Sequence, residues 1–271
     1  MIRTILNAQW QGGGDPVTYH GAAELAALYL SGQRYDTLPI STDRREAERK
    51  ENGIAAFQLL QKQMRAAQLF LRQTAPEKLL SIGGGCDADV PVIAYLNGKY
   101  QGDLAVLWLD AHGDLNTPEE SSTALFYGMP LRSLMDETCF GLLENPRPLT
   151  CAQIVHAGGR DFDASELAFI QSAPLRALSV TDIRENPDAA ARAVAQTKAG
   201  HVYIHLDLDV LDPGVFPDTP LPVPGGLLAD ELLCILASLK QKTVGMGIYE
   251  YMPTGRKTPL MERLLHFALA L

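Results

Sequence analysis

Residues 104–127, LAVLWLDAHGDLNTPEESSTALFY, decide the fold and carry most of the candidate chemistry. The apolar run Leu104–Leu109 predicts a short buried strand. This run ends in Asp110, and His112 and Asp114 follow at two-residue spacing. Carboxylate and imidazole groups are common metal ligands. A buried strand that delivers three such groups within five residues therefore predicts a metal site at its carboxyl end.

The same pattern returns at residues 202–209, VYIHLDLD, an apolar strand that ends in Asp207 and Asp209. Two residues apart on one strand, these aspartates are expected to project from the same face. Buried carboxylates repel each other unless they are neutralised, and a salt bridge to arginine is one way to do so. With Asp110 and Asp114 added, four negative charges match two divalent cations. We therefore expect the two strand ends to meet and to hold a binuclear site of the kind used for hydrolysis, with Mn²⁺ favoured by the carboxylates.

Composition places the chain among ordinary globular proteins. Its 271 residues are 46% hydrophobic and 20% charged, and the net charge of −9 argues against a nucleic-acid or anionic-membrane partner. The four cysteines include no CxxC pair, which favours a reducing cytoplasm over a disulfide framework. The sequence has no 18-residue apolar stretch, and the first apolar run is too short for a signal peptide. The expectation is a cytoplasmic protein that acts on a small molecule.

Strand and helix patterns alternate along the whole chain. This alternation predicts an α/β fold with three α-β-α layers and a mostly parallel sheet of about eight strands, in a single domain over residues 1–271. The predicted strands are residues 4–8, 35–40, 78–82, 104–110, 154–156, 177–180, 202–209 and 243–249. The predicted helices are residues 20–30, 43–73, 90–96, 129–134, 165–171, 187–195, 228–239 and 260–271.

Polar side chains recur at or just after the ends of five predicted strands. These residues are Cys86, Asp110, Asp163, Asp207 and Glu250. Ligands of parallel sheets bind beyond the carboxyl ends of the strands, so we expect these groups to share one rim. Three glycines precede Cys86 and permit a sharp turn with close backbone approach, but their spacing is not that of a dinucleotide-binding loop.

Several motifs, in the right order, resemble those of the ureohydrolase family, which includes arginase, agmatinase, formimidoylglutamase and guanidinobutyrase. Residues 110–114 resemble the family's DAHxD motif, and residues 207–213 resemble its DxDxxDP motif. Residues 250–253 resemble the ExNP element, and residues 84–86 stand where the family has a GGDH-like turn. Residues 160–163 resemble the RDxD segment of arginases.

The resemblance implies a metal-dependent hydrolase that cleaves a linear C–N bond of a guanidino or amidine compound. A hydroxide that bridges two metal ions would be the nucleophile. Asp110 and Asp207 would bridge both ions, Asp114 and Cys86 would complete the shell of one, and His112 and Asp209 that of the other. The resemblance also implies a homo-oligomer, either a trimer or a hexamer.

Substrate-side roles follow from the same resemblance. Glu250 would hold the cationic head of the substrate by charge-assisted hydrogen bonds. Tyr127 stands where arginases carry a histidine that is credited with shuttling a proton to the leaving amine, and a tyrosine is a poorer shuttle at neutral pH. Asn116, Thr123 and Asp163 would contact the rest of the substrate, and the alternative for Asp163 is an ordinary loop aspartate. Residues 123–125, Thr-Ala-Leu, replace the usual SGN, so arginine itself is not specified.

Cys86 departs most from the family pattern, because it occupies the place of a metal-binding histidine. As a thiolate it would favour Zn²⁺ or Fe²⁺, and the alternative is a small buried apolar side chain. His205 faces the same side of its strand as Asp207, which suits either a partner behind the ligands or a satisfied core histidine. Two other functions stay open: a non-catalytic family member that binds ligand or one metal, and a single-metal amide hydrolase like the deacetylases.

Overall fold

The computed structural model describes residues 2–44 and 49–271. The strands are β1 (Ile2–Asn7), β2 (Asp36–Thr37), β3 (Lys50–Glu51), β4 (Ile54–Ala55), β5 (Lys78–Gly83), β6 (Leu104–Leu109), β7 (Ile154–Ala157), β8 (Arg176–Leu178), β9 (His201–Asp207) and β10 (Thr243–Tyr249). The helices are α1 (Val17–Tyr29), α2 (Phe57–Thr74), α3 (Val90–Lys99), α4 (Pro130–Ser133), α5 (Ala164–Ser172), α6 (Val180–Glu185), α7 (Ala189–Gln196), α8 (Ala229–Leu239) and α9 (Pro259–Leu269).

A parallel sheet forms the centre of the molecule. Within the described ranges its eight strands lie in the order β2-β1-β5-β10-β9-β6-β7-β8, and every neighbouring pair is parallel. The predicted α/β class and the predicted strand number are confirmed. Strands β6 and β9 are neighbours, and β10 and β5 follow on the far side of β9. The carboxyl ends of these four adjacent strands therefore lie side by side.

Helices cover both faces of the sheet because its central strands are apolar on both sides. On β6, Ala105, Leu107 and Leu109 pack into one apolar cluster, which includes buried residues of α1, α8 and α9. Leu104, Val106 and Trp108 point the opposite way and pack with α2 and α3. Successive side chains of β6 thus point to opposite faces of the sheet, and the helices packed on each face give the fold its three layers. Among the helices described, none is both long enough and apolar enough to cross a membrane.

The predicted helix over residues 43–73 is wrong over residues 49–56. Residues 45–48 of that prediction lie outside the described part of the chain. Strands β3 and β4 then form an antiparallel hairpin, and the helix begins only at Phe57. Asn52 and Gly53 both have positive φ, 52° and 77°, which is the geometry of a two-residue hairpin turn. The Asn-Gly pair thus stops the helical pattern.

Two further boundaries differ from the sequence prediction. The strand predicted to reach residue 180 ends at Leu178, and α6 begins at Val180 because the Ser179 side chain caps the Asp182 amide. The strand predicted over residues 202–209 ends at Asp207, and residues 208–210 form a 3₁₀ turn. Asp207 and Asp209 are therefore not on one strand. The Asp207 carboxylate accepts a hydrogen bond from the Asp209 amide (2.7 Å), which turns the chain there.

Candidate metal centre

Four neighbouring strand ends place polar side chains at one rim of the sheet. Cys86 begins a 3₁₀ turn that follows β5, and Asp110 directly follows β6. Asp207 is the last residue of β9, and Glu250 directly follows β10. These four of the five predicted strand-end groups come together, whereas Asp163 lies in an adjacent cavity.

In the part of the chain that the structure describes, three overlapping sets of ligand-type atoms lie at this rim, and within each set every atom is within 4.8 Å of the others. The sets are Cys86, Asp110, Asp114 and His205; Cys86, Asp207 and Glu250; and Asp110, His112 and Asp209. Asp110 and Cys86 each belong to two sets. The arrangement therefore provides two adjacent positions for a cation, with a shared carboxylate between them.

Short hydrogen bonds hold the carboxylates in place before any ligand arrives. The Trp108 indole N–H donates to Asp110 Oδ2 (3.0 Å), and the His112 amide donates to Asp110 Oδ1 (2.7 Å). The Ala111 amide donates to Asp209 Oδ1 (3.0 Å). The backbone of the loop after β6 thus fixes aspartates from two strands.

His112 lies between two carboxylates. Its Nδ1 is 2.8 Å from Asp209 Oδ2 and 3.6 Å from Asp110 Oδ1. Burial lowers the pKa of His112, but hydrogen bonds to Asp110 and Asp209 outweigh it and raise that pKa to about 12. In the metal-free protein, His112 is therefore a cation that partly neutralises the cluster. A metal ion would take over that positive charge.

The ionised forms of the remaining carboxylates are destabilised by their surroundings. Burial, followed by the charge of Asp110, raises the pKa of Asp114 well above its usual range, and burial with the charge of Asp209 does the same for the pKa of Asp207. Burial also raises the pKa of Glu250. Among the described residues, none donates a hydrogen bond to the buried Asp114 Oδ2. Oxygen-rich, desolvated and short of positive charge, the site fits divalent cations.

Two site residues have left-handed backbone, Asp114 with φ 56° and Glu250 with φ 59°. This conformation is unusual for residues other than glycine and occurs often at functional sites. At Glu250 it turns the carboxylate back towards the loop after β5, where Oε1 accepts a hydrogen bond from the Cys86 amide (3.1 Å). Gly84 must be a glycine, since a Cβ there would collide with the Gln9 carbonyl. The predicted close backbone approach is confirmed at this glycine.

A cavity of about 220 Å³ opens onto the cluster. Cys86, His112, Asp207 and Glu250 line it, and Tyr127 lies at its side. A second cavity of about 240 Å³ shares His112 and Tyr127 and extends away from the cluster. A small molecule in the first cavity could therefore extend past Tyr127 into the second.

The predicted substrate-contact residues lie along the second cavity. Asn116, Thr123 and Asp163 all line it, and none belongs to the sets of metal-type ligands. Asn116 Nδ2 donates to Asp163 Oδ2 (2.8 Å). Asp163 also forms the N-cap of α5 through a reciprocal capping box with Glu166. These residues are fixed to one another, and Asp163 has a structural role beside any contact with a ligand.

Several residues of the site were not singled out from the sequence. Trp108 binds Asp110, and Glu166 Oε1 accepts a hydrogen bond from the Leu115 amide (2.9 Å) in the loop that carries the ligand-type residues. Asp87 and Asp89 follow Cys86 in the 3₁₀ turn and are fully buried. The spacing of Asp163 and Glu166, a capping-box pattern before a helix, could have indicated Glu166. Nothing in the local sequence indicates that Asp89 lies beside His205.

Residues 32–264 match the sequence model of the arginase family. The chain belongs to this family. Arginase from Staphylococcus aureus strain MRSA252 is 34% identical over 182 residues, covering 64% of this chain and 60% of that protein. Arginase from Neurospora crassa is 29% identical over 191 residues, covering 65% of this chain and 53% of that protein. The matched segments thus span little more than half the length of these relatives.

Solved structures of family members share the fold. The Entamoeba histolytica arginase in complex with L-ornithine superposes with a TM-score of 0.84 at 19% identity, covering 98% of this chain and 95% of that one. Proclavaminate amidino hydrolase from Streptomyces clavuligerus gives a TM-score of 0.73 at 21% identity, covering 99% of this chain and 88% of that one. At such low identity the likeness establishes the architecture alone.

Proposed function

We propose that this protein is a metal-dependent hydrolase that cleaves a linear C–N bond of a guanidino or amidine compound. The observation that carries the proposal is the pair of overlapping ligand sets that share Asp110 at the carboxyl ends of β6 and β9. Metal pairs about 3.5–4 Å apart, held by shared carboxylates, are typical of hydrolases. Membership of the arginase family supports the same reaction class.

The proposed ligands are those that the sequence indicated. Asp110 and Asp207 would hold both metal ions, His112 and Asp209 would complete the donors of one position, and Asp114 and Cys86 would complete those of the other. When bound, the two cations supply the Lewis acidity that activates water for attack. The position at His112 has only oxygen and nitrogen donors and suits Mn²⁺, whereas the sulfur of Cys86 favours a softer ion such as Zn²⁺ or Fe²⁺ at its own position.

Glu250 is proposed to bind the cationic head of the substrate. Its carboxylate lines the first cavity beside the ligand sets and is held by the Cys86 amide. Burial raises the pKa of Glu250, and a guanidinium or amidinium cation in contact with it would favour the ionised form. Charge-assisted hydrogen bonds then orient the trigonal carbon towards the metal positions.

Tyr127 is proposed to act on the leaving side. Burial raises the pKa of Tyr127, so its hydroxyl keeps its proton at neutral pH and can donate a hydrogen bond to the departing amine. Asn116, Thr123 and Asp163 would hold the tail of the substrate in the second cavity. Neither cavity has a lysine or arginine among its described lining residues. This acidic lining favours a substrate whose tail is neutral or positively charged.

Metal analysis together with a substrate screen tests the proposal. We expect two divalent cations per chain by mass spectrometry. We also expect release of urea or formamide from at least one of arginine, agmatine, guanidinobutyrate, guanidinopropionate and formimidoylglutamate. Near-zero metal without turnover would indicate a non-catalytic family member. One zinc per chain with hydrolysis of an acetylated amine would indicate a deacetylase-like enzyme.

We also propose a trimeric or hexameric assembly, which light scattering after size-exclusion chromatography measures.

A further inference from the structure

A buried histidine lies behind the sulfur of Cys86. His205, on β9 and two residues before Asp207, is fully buried. Its ring stacks on Trp108 from β6, with centroids 3.5 Å apart and planes at 9°, and on Tyr249 from β10, with centroids 4.9 Å apart and planes at 12°. Because β6 and β10 flank β9 on opposite sides, the two aromatic rings fix the plane of the imidazole.

Hydrogen bonds fix the orientation of this ring within its plane. His205 Nδ1 is 2.8 Å from Asp89 Oδ2, and the Tyr203 hydroxyl donates to Asp89 Oδ1 at 2.5 Å. A carboxylate oxygen accepts hydrogen bonds, so the network assigns the proton of His205 to Nδ1. Nε2 then keeps its lone pair. Nε2 lies 3.3 Å from Cys86 Sγ, and a ring nitrogen of His205 lies within 4.8 Å of the ligand-type atoms of Cys86, Asp110 and Asp114.

The surroundings of Nε2 do not suit an ordinary core histidine. Cys86 Sγ is also 3.1 Å from Asp207 Oδ2. A thiol has one hydrogen, so it can satisfy either Asp207 or His205 and not both. Asp114 adds the buried oxygen that no described residue satisfies. When Asp114 and Asp207 are ionised, lone pairs of nitrogen, sulfur and oxygen thus converge with too few protons between them, and a single cation would satisfy all of them.

We propose that His205 is a direct ligand of the metal position beside Cys86 and that Asp89 is the residue that positions it. This inference rests on the proposed function, whose ligand set it extends. The family resemblance places a metal-binding histidine at position 86, where this chain has cysteine. His205 on β9 would then supply the missing imidazole. The position would have one sulfur, one nitrogen and carboxylate oxygens, a donor set that binds Zn²⁺ or Co²⁺ more tightly than Mn²⁺. A carboxylate behind a ligating histidine fixes its tautomer and raises its basicity, as Asp89 does here.

Titration of the chelator-stripped full chain with Co²⁺ alone tests the assignment without any measurement of turnover. We expect two Co²⁺ per chain, one of which produces a sulfur-to-cobalt charge-transfer band in the near ultraviolet. His205→Gln should weaken binding at the position that gives the band by about 100-fold or more. Asp89→Asn should weaken it by roughly 10- to 100-fold. The other Co²⁺ should bind with unchanged affinity in both variants.

His156→Gln is the matched control. His156 is also a fully buried histidine, and the strand register pairs it with Trp108 across β7 and β6, as it pairs His205 with Trp108 across β9 and β6. This variant should retain the charge-transfer band and the Co²⁺ affinity of its position. Circular dichroism reports whether each variant folds. If His205→Gln does not fold, the result for Asp89→Asn decides the test.

The outcomes separate this inference from the proposed function. Wild-type affinity and an unchanged band in folded His205→Gln, or in Asp89→Asn if only that variant folds, would overturn the ligand role. In that case two Co²⁺ per chain would leave the proposed hydrolase intact. Binding of no Co²⁺ by the wild-type chain would overturn both.

Discussion

At the scale of single residues, the site concentrates buried acids and holds them with few donors. Glu250 illustrates the cost, because its left-handed backbone is strained and burial disfavours its ionised carboxylate. Asp87, next to Cys86 in the chain, is fully buried, and the Gln9 amide donates to it at 2.6 Å. Both groups differ from surface acids in ways that measurements on variants can detect.

Glu250→Gln should separate substrate binding from metal binding. Gln keeps the shape of the side chain but removes the negative charge that a guanidinium would meet. A hydrogen bond to a charged group contributes about 1.5–3 kcal/mol, so we expect kcat/KM to fall by roughly 10- to 200-fold. The metal content should stay at the wild-type level. Glu262→Gln, an exposed residue of α9, is the control and should leave both quantities unchanged.

A loss of metal together with activity in Glu250→Gln would contradict the assignment of this residue to the substrate. Steady-state kinetics and elemental analysis of the same preparation distinguish the two results.

Asp87→Asn should change how stability depends on pH. Burial raises the pKa of Asp87 from its ordinary value of 3.8 to about 7, although the Gln9 hydrogen bond lowers it. Between these values the folded protein binds a proton that the unfolded chain has lost. Stability from this group is therefore complete below pH 3.8 and is lost as pH rises through about 7. At about 1.4 kcal/mol per pKa unit, the loss reaches about 4 kcal/mol.

We therefore expect the free energy of unfolding of Asp87→Asn, minus that of the wild type, to increase from pH 4 to pH 7 and then to level off. Urea denaturation across this range measures the difference. A difference that does not vary with pH would show that Asp87 titrates as an ordinary carboxyl.

At the scale of elements, the β3–β4 hairpin supports the loop that lines the second cavity. The Ala55 amide donates to the Ala124 carbonyl (2.8 Å), and Gly53 lies against Pro118. Thr123, in the same loop, is one of the proposed substrate contacts. The hairpin is too short to be stable alone, and it is held by these contacts with the loop.

Gly53→Ala should therefore destabilise the protein and weaken substrate binding. The residue has φ 77°, and a Cβ would come within 2.8 Å of the Pro118 side chain. We expect a loss of about 1–3 kcal/mol in the free energy of unfolding, with a raised KM. Gly98→Ala is the matched control, since no atom lies within 4 Å of its Cβ position in α3. It should stabilise the protein by about 0.5–1 kcal/mol. Equal stability of the two variants would show that the hairpin turn is not strained.

The sequence predicts those elements whose signal is local. Strands β6 and β9 are evident because apolar runs end abruptly in acids, and the rim follows from their parallel arrangement. The β3–β4 hairpin was missed because two-residue strands do not change the period of a window that continues into α2. The pairing of Asp89 with His205 could not be predicted, because it joins residues 116 positions apart and only the finished sheet brings them together.

At the scale of the whole molecule, the rim brings together charges of one sign from the ends of three strands. Carboxylates from β6, β9 and β10 meet there, together with the aspartates of the loop after β6. Without metal ions the ionised carboxylates at this end of the sheet repel one another, and the His112 cation in one of the ligand sets offsets only part of that repulsion. Bound metal ions would therefore act as a cross-link between strands as well as a reaction centre.

Removal of metal should lower the stability of the entire fold, and more so at high pH. Burial raises the pKa values of Asp114, Asp207 and Glu250, so in the metal-free state these groups stabilise the fold while protonated and lose that contribution as pH rises through their folded-state pKa values. Cations bind the ionised forms and remove the penalty. We expect a chelator to lower Tm by several degrees at pH 8 and by less at pH 6, and excess Mn²⁺ or Zn²⁺ to restore it. Differential scanning calorimetry with and without chelator measures both shifts. A Tm that does not respond to chelation at either pH would mean that no cation joins these strands.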